Sequence, residues 1–364
     1  EEVVERLVYR LQLGKVIREH LFLPPRPPRL VPFPEDLLPP LRQALLRRGV
    51  RSLYHHQLKA YLSVRRGAHL LLATPTASGK SWALFLPLLQ HLAENPSSTA
   101  LLLFPTKALA REKARELEGV FEELGLGRPL ALDGESPPGE RRMALRARAI
   151  LTNPEMLRWH LEEWWPFLSR AAFLLVDELH LHQGLGGAAL AGLAEKIKAF
   201  SPQVRFLCAS ATVGDPRGFF RRLFGASPLV IAESGAPVPA RHLLSLRPPP
   251  GKEPHLASLL ARHLVLEEGL DCLVFARGRQ EAEMLLARMA RLFPRWWGPL
   301  LRSYHAGLLP EERKEAEREV GGRRVGVFIC TSAWEVGVEG GEFRAGILFG
   351  YPGSRESFRQ RVEE

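Results

Sequence analysis

The stretch HLLLATPTASGKSWALFLPLLQHLAE, residues 69–94, joins an apolar run to a helical segment through a loop of small and hydroxyl residues. Backbone N–H groups of such a loop and the N-terminus of the helix behind it converge on one point, which is how strand–loop–helix units hold phosphate. The phosphate-loop pattern G-x-x-x-x-G-K-[ST] has Gly79, Lys80 and Ser81 in place, but Thr74 stands at the leading glycine and Ala77 at a further position that is often glycine. Alanine adopts ordinary right-handed dihedrals and the cradle depends on backbone donors, so Thr76, Ala77, Ser78 and Gly79 still suffice to form it. Lys80 would neutralise β- and γ-phosphate charge, and Ser81 would coordinate Mg2+. A lone G-K-S suits an ordinary strand-to-helix turn equally well, so its companions decide.

Working outward, HLLLAT (69–74), TALLLFP (99–105), ARAILTNP (147–154), AAFLLVDE (171–178) and QVRFLCAS (203–210) are short apolar runs separated by helical segments. Buried strands alternating with helices mean an α/β fold with parallel sheets. A second series, DCLVFAR (271–277), LLRSYHA (300–306), RVGVFICTS (324–332) and AGILFGYP (345–352), follows a Pro/Gly-rich segment at 233–254 that reads as a linker. The expected division is a helical and proline-rich extension over 1–50, a first domain over 51–235 and a second over 236–364. Within the extension, LFLPPRPPRLVPFPEDLLPP (21–40) cannot be continuous helix and reads as a rigid connector.

AAFLLVDELH (171–180) places Asp177 and Glu178 at the end of an apolar strand, where ligands of open α/β sheets bind. Adjacent carboxylates suit two tasks: Asp177 holds Mg2+, and Glu178 orients and deprotonates an attacking water. An isolated D-E is more often an exposed acidic turn, but this pair follows a strand and accompanies G-K-S. CASATVGDP (208–216) ends another strand with Ser210, Ala211 and Thr212; the hydroxyls of Ser210 and Thr212 suit contacts to the acidic loop or His180 that report nucleotide state to the neighbouring domain, and a plain turn is the alternative.

The chain has 364 residues, 46% of them hydrophobic, which is more than one core usually takes. No apolar run approaches a membrane span, so a soluble, cytoplasmic protein is expected. Lys and Arg number 50 against 40 acidic residues, a net charge of +10 that favours a polyanionic partner. Cys208, Cys272 and Cys330 stand far apart inside apolar runs and read as buried strand thiols, not zinc ligands or a disulfide framework.

Taken in order, ATPTASGKS, FPTKALA, TNPEML, VDELH, SATVGDP, LVFARGR, YHAGLLPEERKEAE and TSAWEVGVEGG resemble the motif series of superfamily 2 helicases of the DEAD/DEAH-box kind. LYHHQLKAY (53–61), LDGESPPGERR (132–142), GAPVPARHLLSLRPPP (235–250) and LFGYPGS (348–354) extend the similarity to MrfA-type bacterial DNA-repair helicases and their fungal RecQ-related counterparts. The resemblance implies two tandem RecA-like domains with an ATP cleft between them, ATP and Mg2+ as cofactors, and 3′-to-5′ movement on single-stranded DNA. It implies adenine recognition by Gln57 with Tyr54 nearby, and it adds His180 to Lys80, Asp177 and Glu178 as catalytic candidates. Pro105, Thr106 and Lys107, Thr152, Asn153 and Pro154, and in the second domain Arg277, Gly307, Thr331 and Ser332 match strand-gripping motifs. Gly337 continues into the motif that links nucleotide to strand, where Glu339 replaces the family's usual Asp.

SFRQRVEE enters the last motif with Gln360 and Arg361, but the Gly-Arg-x-Gly-Arg that the family places next is absent, so the sequence reads as a truncated chain. Those arginines would reach the γ-phosphate. The expectation is therefore an ATP-hydrolysing DNA motor, monomeric and without a membrane partner. The alternatives are an RNA helicase or restriction-type translocase, an ATP-gated clamp that turns over negligibly, and a small-molecule kinase, against which the second strand series speaks. The tryptophan pairs Trp164–Trp165 and Trp296–Trp297 suit base stacking or a strand-separating wedge, but such pairs more often anchor helix packing.

Overall fold

The structure is a computed structural model and describes residues 2–362 apart from 76–77, 211–214, 295, 297–299, 322–325, 332–342, 355–356 and 359–360. It comprises two compact units, Pro27–Pro237 and the combination of Glu1–Arg26 with Val238–Glu364.

The chain begins in the second of these. Helix Glu2–Arg10 places Leu7 in its core, and β1 (Ile17–Leu23) follows. After the chain crosses into the other unit, β2 (Leu30–Val31) and β3 (Leu53–Tyr54) pair antiparallel. Where proline starts a helix, as at Pro39 of helix Pro39–Arg47, its missing N–H costs no hydrogen bond.

Seven strands then build one parallel sheet: β4 (His69–Leu72), β5 (Thr99–Leu103), β6 (Leu130–Ala131), β7 (Ala149–Thr152), β8 (Ala171–Val176), β9 (Arg205–Ala209) and β10 (Pro228–Ile231). Their order is β10-β4-β9-β8-β5-β7-β6. Side chains alternate across each strand, so Leu70, Leu72, Ala100 and Leu102 enter the core on one face, and Leu71, Leu101, Leu103 and Leu174 that on the other. Both faces are covered, which is why these strands read as unbroken apolar runs. All six residues of β8 are buried.

The second series also forms strands, joining β11 (Arg241–Leu246) to complete the elements of the other unit: β12 (Cys272–Phe275), β13 (Leu301–Tyr304), β14 (Val327–Cys330) and β15 (Ala345–Leu348). The last four make a parallel sheet in the order β13-β14-β12-β15. The segment read as a linker is partly β11, and it pairs antiparallel with β1, from Ile17 opposite Leu246 to Leu23 opposite Arg241. That pairing draws the first 26 residues out of the extension expected over 1–50 and into the C-terminal unit. Cys208, Cys272 and Cys330 are all buried on strands, and burial pushes the Cys272 thiol up to about 12.

The tryptophan pair at 164–165 divides its tasks. Trp164 is fully buried and stacks on His160, ring centroids 5.4 Å apart, whereas Trp165 is exposed. Trp296 is exposed, and Trp297 lies outside the described residues.

Candidate active site and strand-binding edge

Because the seven strands are parallel, the loops that follow them gather on one edge of the sheet. Backbone bonds carry the ladder into those loops. The N–H groups of Ser210, Asp177 and Phe104 donate to Leu72, Leu103 and Thr152 carbonyls at 2.9 Å, and that of Ala73 to Ile231 at 2.8 Å. The phosphate loop, Ser210, the acidic pair, 104–107 and 152–154 therefore stand side by side.

At the phosphate loop, Gly79 has φ 78°, the left-handed region that glycine occupies without strain, and helix Lys80–Glu94 starts behind it. A Cβ there would come within 2.8 Å of Gln57 Nε2. Thr74, in the leading glycine's place, is buried and its hydroxyl lies 2.9 Å from that of Ser78, so this residue ties the loop across its base. Lys80 Nζ is buried and has no hydrogen-bond partner among the described residues. A buried cation left without an acceptor costs free energy, and a phosphate oxygen would supply one. Thr76 and Ala77 lie outside the described residues.

Beside the loop is a cavity of 410 Å³, walled by Leu30, Leu53, Tyr54, Trp82 and Leu86 and reaching Gln57 and Gly79. A mostly apolar pocket with one amide at its side suits a planar base. The Gln57 amide is engaged at both ends: its oxygen accepts from Tyr54 N–H at 2.9 Å, and its nitrogen donates to the Gly79 carbonyl at 3.1 Å. It thereby joins the wall of the cavity to the phosphate loop. Next to it, burial pushes the His56 imidazole down to about 4, and its neutral Nδ1 accepts from Gly235 N–H at 3.0 Å. Trp82 was not legible as a pocket residue, since an aromatic in the first turn of an apolar helix reads as core.

Asp177 ends β8. Burial, aided by the neighbouring Glu178 charge, pushes its carboxyl up to about 7; Lys80, the Glu178 N–H and Lys113 act in the opposite direction. That N–H donates to Asp177 Oδ1 at 3.0 Å. Glu178 has φ 48°, a left-handed conformation uncommon for a residue with a side chain, and Glu178 Oε2 lies 3.3 Å from His180 Nδ1. Ser210 is buried between the phosphate loop and the acidic pair in strand order, its hydroxyl without a partner among the described residues. Ala211 and Thr212 lie outside those residues. No group of three or more His, Cys, Asp or Glu able to hold a metal occurs among the described residues. Mg2+ takes one or two protein oxygen ligands alongside substrate phosphates, and the Ser81 hydroxyl and the Asp177 carboxyl are oxygen donors of that kind.

Two of the expected strand-binding residues are helix caps. The Thr106 hydroxyl accepts from Leu109 N–H at 3.2 Å to start helix Lys107–Glu123, and Asn153 Oδ1 accepts from Met156 N–H at 2.8 Å to start helix Pro154–His160. Pro105 precedes the first cap and Pro154 is the first residue after the second. The Thr152 hydroxyl donates to the Leu132 carbonyl at 2.7 Å, and Lys107 pairs with Glu135. In the other unit Arg277 is exposed and pairs with Glu281 at 2.6 Å, Gly307 N–H donates to His305 Nδ1 at 3.2 Å beneath Arg279, and Thr331 is buried. The Arg361 guanidinium lies 5.2 Å from the Phe275 ring centroid. Ser332, Gly337, Glu339 and Gln360 fall outside the described residues. No helix among the described residues is long and apolar enough to cross a membrane.

Comparison with known proteins bears directly on this arrangement. Residues 54–217 match the DEAD/DEAH box helicase family, and residues 254–363 match the helicase conserved C-terminal domain. The chain belongs to the superfamily 2 helicases. It is 32% identical over 356 residues to the ATP-dependent helicase YprA of Bacillus subtilis, covering 93% of this chain and 48% of that protein. It is 29% identical to the ATP-dependent helicase hrq1 of Schizosaccharomyces pombe, over 88% of this chain and 33% of the relative. The chain thus spans half or less of the length of these curated relatives. A crystal structure of the helicase MrfA bound to DNA and AMPPNP superposes with a TM-score of 0.90 at 29% identity, over 99% of this chain and 53% of MrfA. The two parallel sheets accordingly match two tandem RecA-like helicase domains.

Proposed function

We propose that this helicase is an ATP-hydrolysing motor that moves 3′-to-5′ on single-stranded DNA in repair, with Mg2+ as its metal. The observation that carries the reading is the buried Lys80 ammonium, lacking a hydrogen-bond partner among the described residues and close enough to Asp177 to oppose the rise that burial imposes on its carboxyl. The DNA partner is supported by the net charge of +10 and by the likeness to MrfA, whose structure holds DNA.

When bound, Mg2+·ATP supplies the phosphoryl group for transfer to water and the cation that balances its charge. The chain's own residues do the rest. The walls of the 410 Å³ cavity take the base, and Gln57 ties that wall to Gly79, so base and phosphate are positioned together. Lys80 balances negative charge on the phosphates, and Ser81 and Asp177 would hold the metal. Glu178 orients the attacking water and accepts its proton, and His180 steadies that carboxylate. Ser210, between the phosphate loop and Asp177, carries the state of the site towards the strand-gripping loops. Thr106, Lys107 and Asn153 contact the phosphodiester backbone, which fixes register without reading sequence, while Thr152, fully buried with its hydroxyl on Leu132, holds the neighbouring loop instead of touching the strand.

The test is steady-state phosphate release from ATP with and without single-stranded DNA or RNA, with Glu178→Gln as the control. Stimulation by DNA, reduced about 10²-fold or more by the substitution, is expected. Stimulation by RNA alone would replace the DNA reading. ATP-dependent strand affinity without phosphate release would make the chain a nucleotide-gated clamp.

A further inference from the structure

Loop 132–136, which follows the edge strand β6, bonds to both segments of the first unit expected to grip the strand. The Thr152 hydroxyl holds its start through the Leu132 carbonyl at 2.7 Å. Asp133, buried, fixes the turn: its Oδ1 accepts from Glu135 N–H at 2.8 Å, and its N–H donates to Ser136 Oγ at 3.0 Å. Arg141 donates to the Gly134 carbonyl at 2.9 Å from outside the turn. All these bonds use backbone atoms or neighbouring side chains, so the turn is shaped by the backbone of residue 135 and not by its carboxylate.

That carboxylate pairs with Lys107, and its second oxygen lies 3.5 Å from Arg111 Nη2, one turn further along the same helix. Arg111 is already committed to the buried Asp133 at 2.7 Å. Lys107 has no second carboxylate among the described ion pairs, so Glu135 takes the cation that a strand phosphate would take. An exposed pair of this kind is weak and easily exchanged. The arrangement differs from Arg277–Glu281, an ordinary i,i+4 pair on a single helix, because here the acid is delivered by a separate, rigidly bonded turn.

We infer that Glu135 is a built-in competitor for the strand: its carboxylate holds the phosphate position at Lys107 until a phosphate of single-stranded DNA displaces it, and so it sets the affinity of this edge. The inference rests on the strand-gripping role of Lys107 proposed above. Displacement moves no proton and breaks no covalent bond. It exchanges one anion for another at the same ammonium and leaves the Asp133 turn standing.

The test is a double-mutant cycle on the whole 364-residue chain, read by fluorescence anisotropy with a labelled single-stranded oligodeoxynucleotide and no nucleotide. Glu135→Gln keeps the turn, whose bonds come from the backbone of residue 135. It is expected to tighten binding about three- to fivefold at 0.1 M salt, and this gain should fade at 1 M, where the screening length falls to about 3 Å. In the Lys107→Ala background, the same substitution should change affinity by less than about 1.5-fold. An equal gain in both backgrounds would make Glu135 a bulk surface charge, and no gain in either would remove it from the strand path; both overturn the inference. Lys107→Ala alone should weaken binding about fivefold. If it is without effect, the strand-gripping reading itself fails, and that result is distinct from the other two.

Discussion

Asp177 concentrates the electrostatic problem of the site in one carboxyl. Held up to about 7 by burial and by Glu178, it keeps in the folded state a proton that the unfolded chain releases near its ordinary value of 3.8. Stability from this group is therefore complete below about pH 4 and is lost as pH rises through 7, at a slope of at most about 1.4 kcal/mol per pH unit. Urea midpoints of the nucleotide-free protein between pH 5 and 7.5 should show this decline, and Asp177→Asn should flatten it. Lys80→Met, by removing the cation that opposes the shift, should extend the decline to higher pH. A profile unchanged by both substitutions would mean that other groups dominate. The same residue shows why the acid pair was legible in VDELH while its protonation was not: adjacency is written in the chain, but burial is a property of what packs around it.

At the scale of elements, the residues that suit strand contact also begin helices. Asn153 and Thr106 each accept a backbone N–H in the first turn of the helix they precede, so part of what a motif records at these positions is helix nucleation. The two roles separate by substitution. Asn153→Ala should cost about 1 kcal/mol of stability, measured by urea unfolding. Asn153→Asp keeps an oxygen in the capping position and should hold stability within about 0.5 kcal/mol, yet it adds a negative charge where a phosphate is expected and should weaken single-stranded DNA binding several-fold. If Asn153→Asp binds the strand as tightly as the parent, Asn153 is left with the cap alone. The strands themselves were readable because burial on both faces leaves continuous apolar runs, whereas β1 and β11 were not. Their pairing joins residues more than 200 positions apart, and neither strand is buried enough to announce itself.

For the molecule as a whole, each unit carries its own core: Leu101 belongs to one in Pro27–Pro237, and Leu285 to one in the unit completed by Glu1–Arg26. Calorimetry should therefore resolve two transitions. Leu285→Ala, which empties a fully buried position, should lower one of them by an amount equivalent to about 2–5 kcal/mol. AMPPNP with Mg2+ should raise the other, because Lys80, Gln57, Asp177 and the base cavity all belong to Pro27–Pro237. A single transition moved by both would mean that the two cores unfold as one.

Local chemistry was written along the chain. Apolar runs at strand length, a small-residue loop ahead of a lysine and a helix, and two acids after a run of buried residues each need only neighbours in sequence, so the α/β architecture, the phosphate loop and the acidic pair could be read directly. The partnerships that shape the site come from folding. The Gln57 amide bridges to Gly79, Thr74 to Ser78 across the loop, Thr152 to Leu132, and Glu135 to Lys107. Most of these join residues 20 or more positions apart and leave no periodicity to detect. They exist because a parallel sheet brings the ends of its strands to one edge, and there side chains without sequence proximity acquire distances, burial and charge partners.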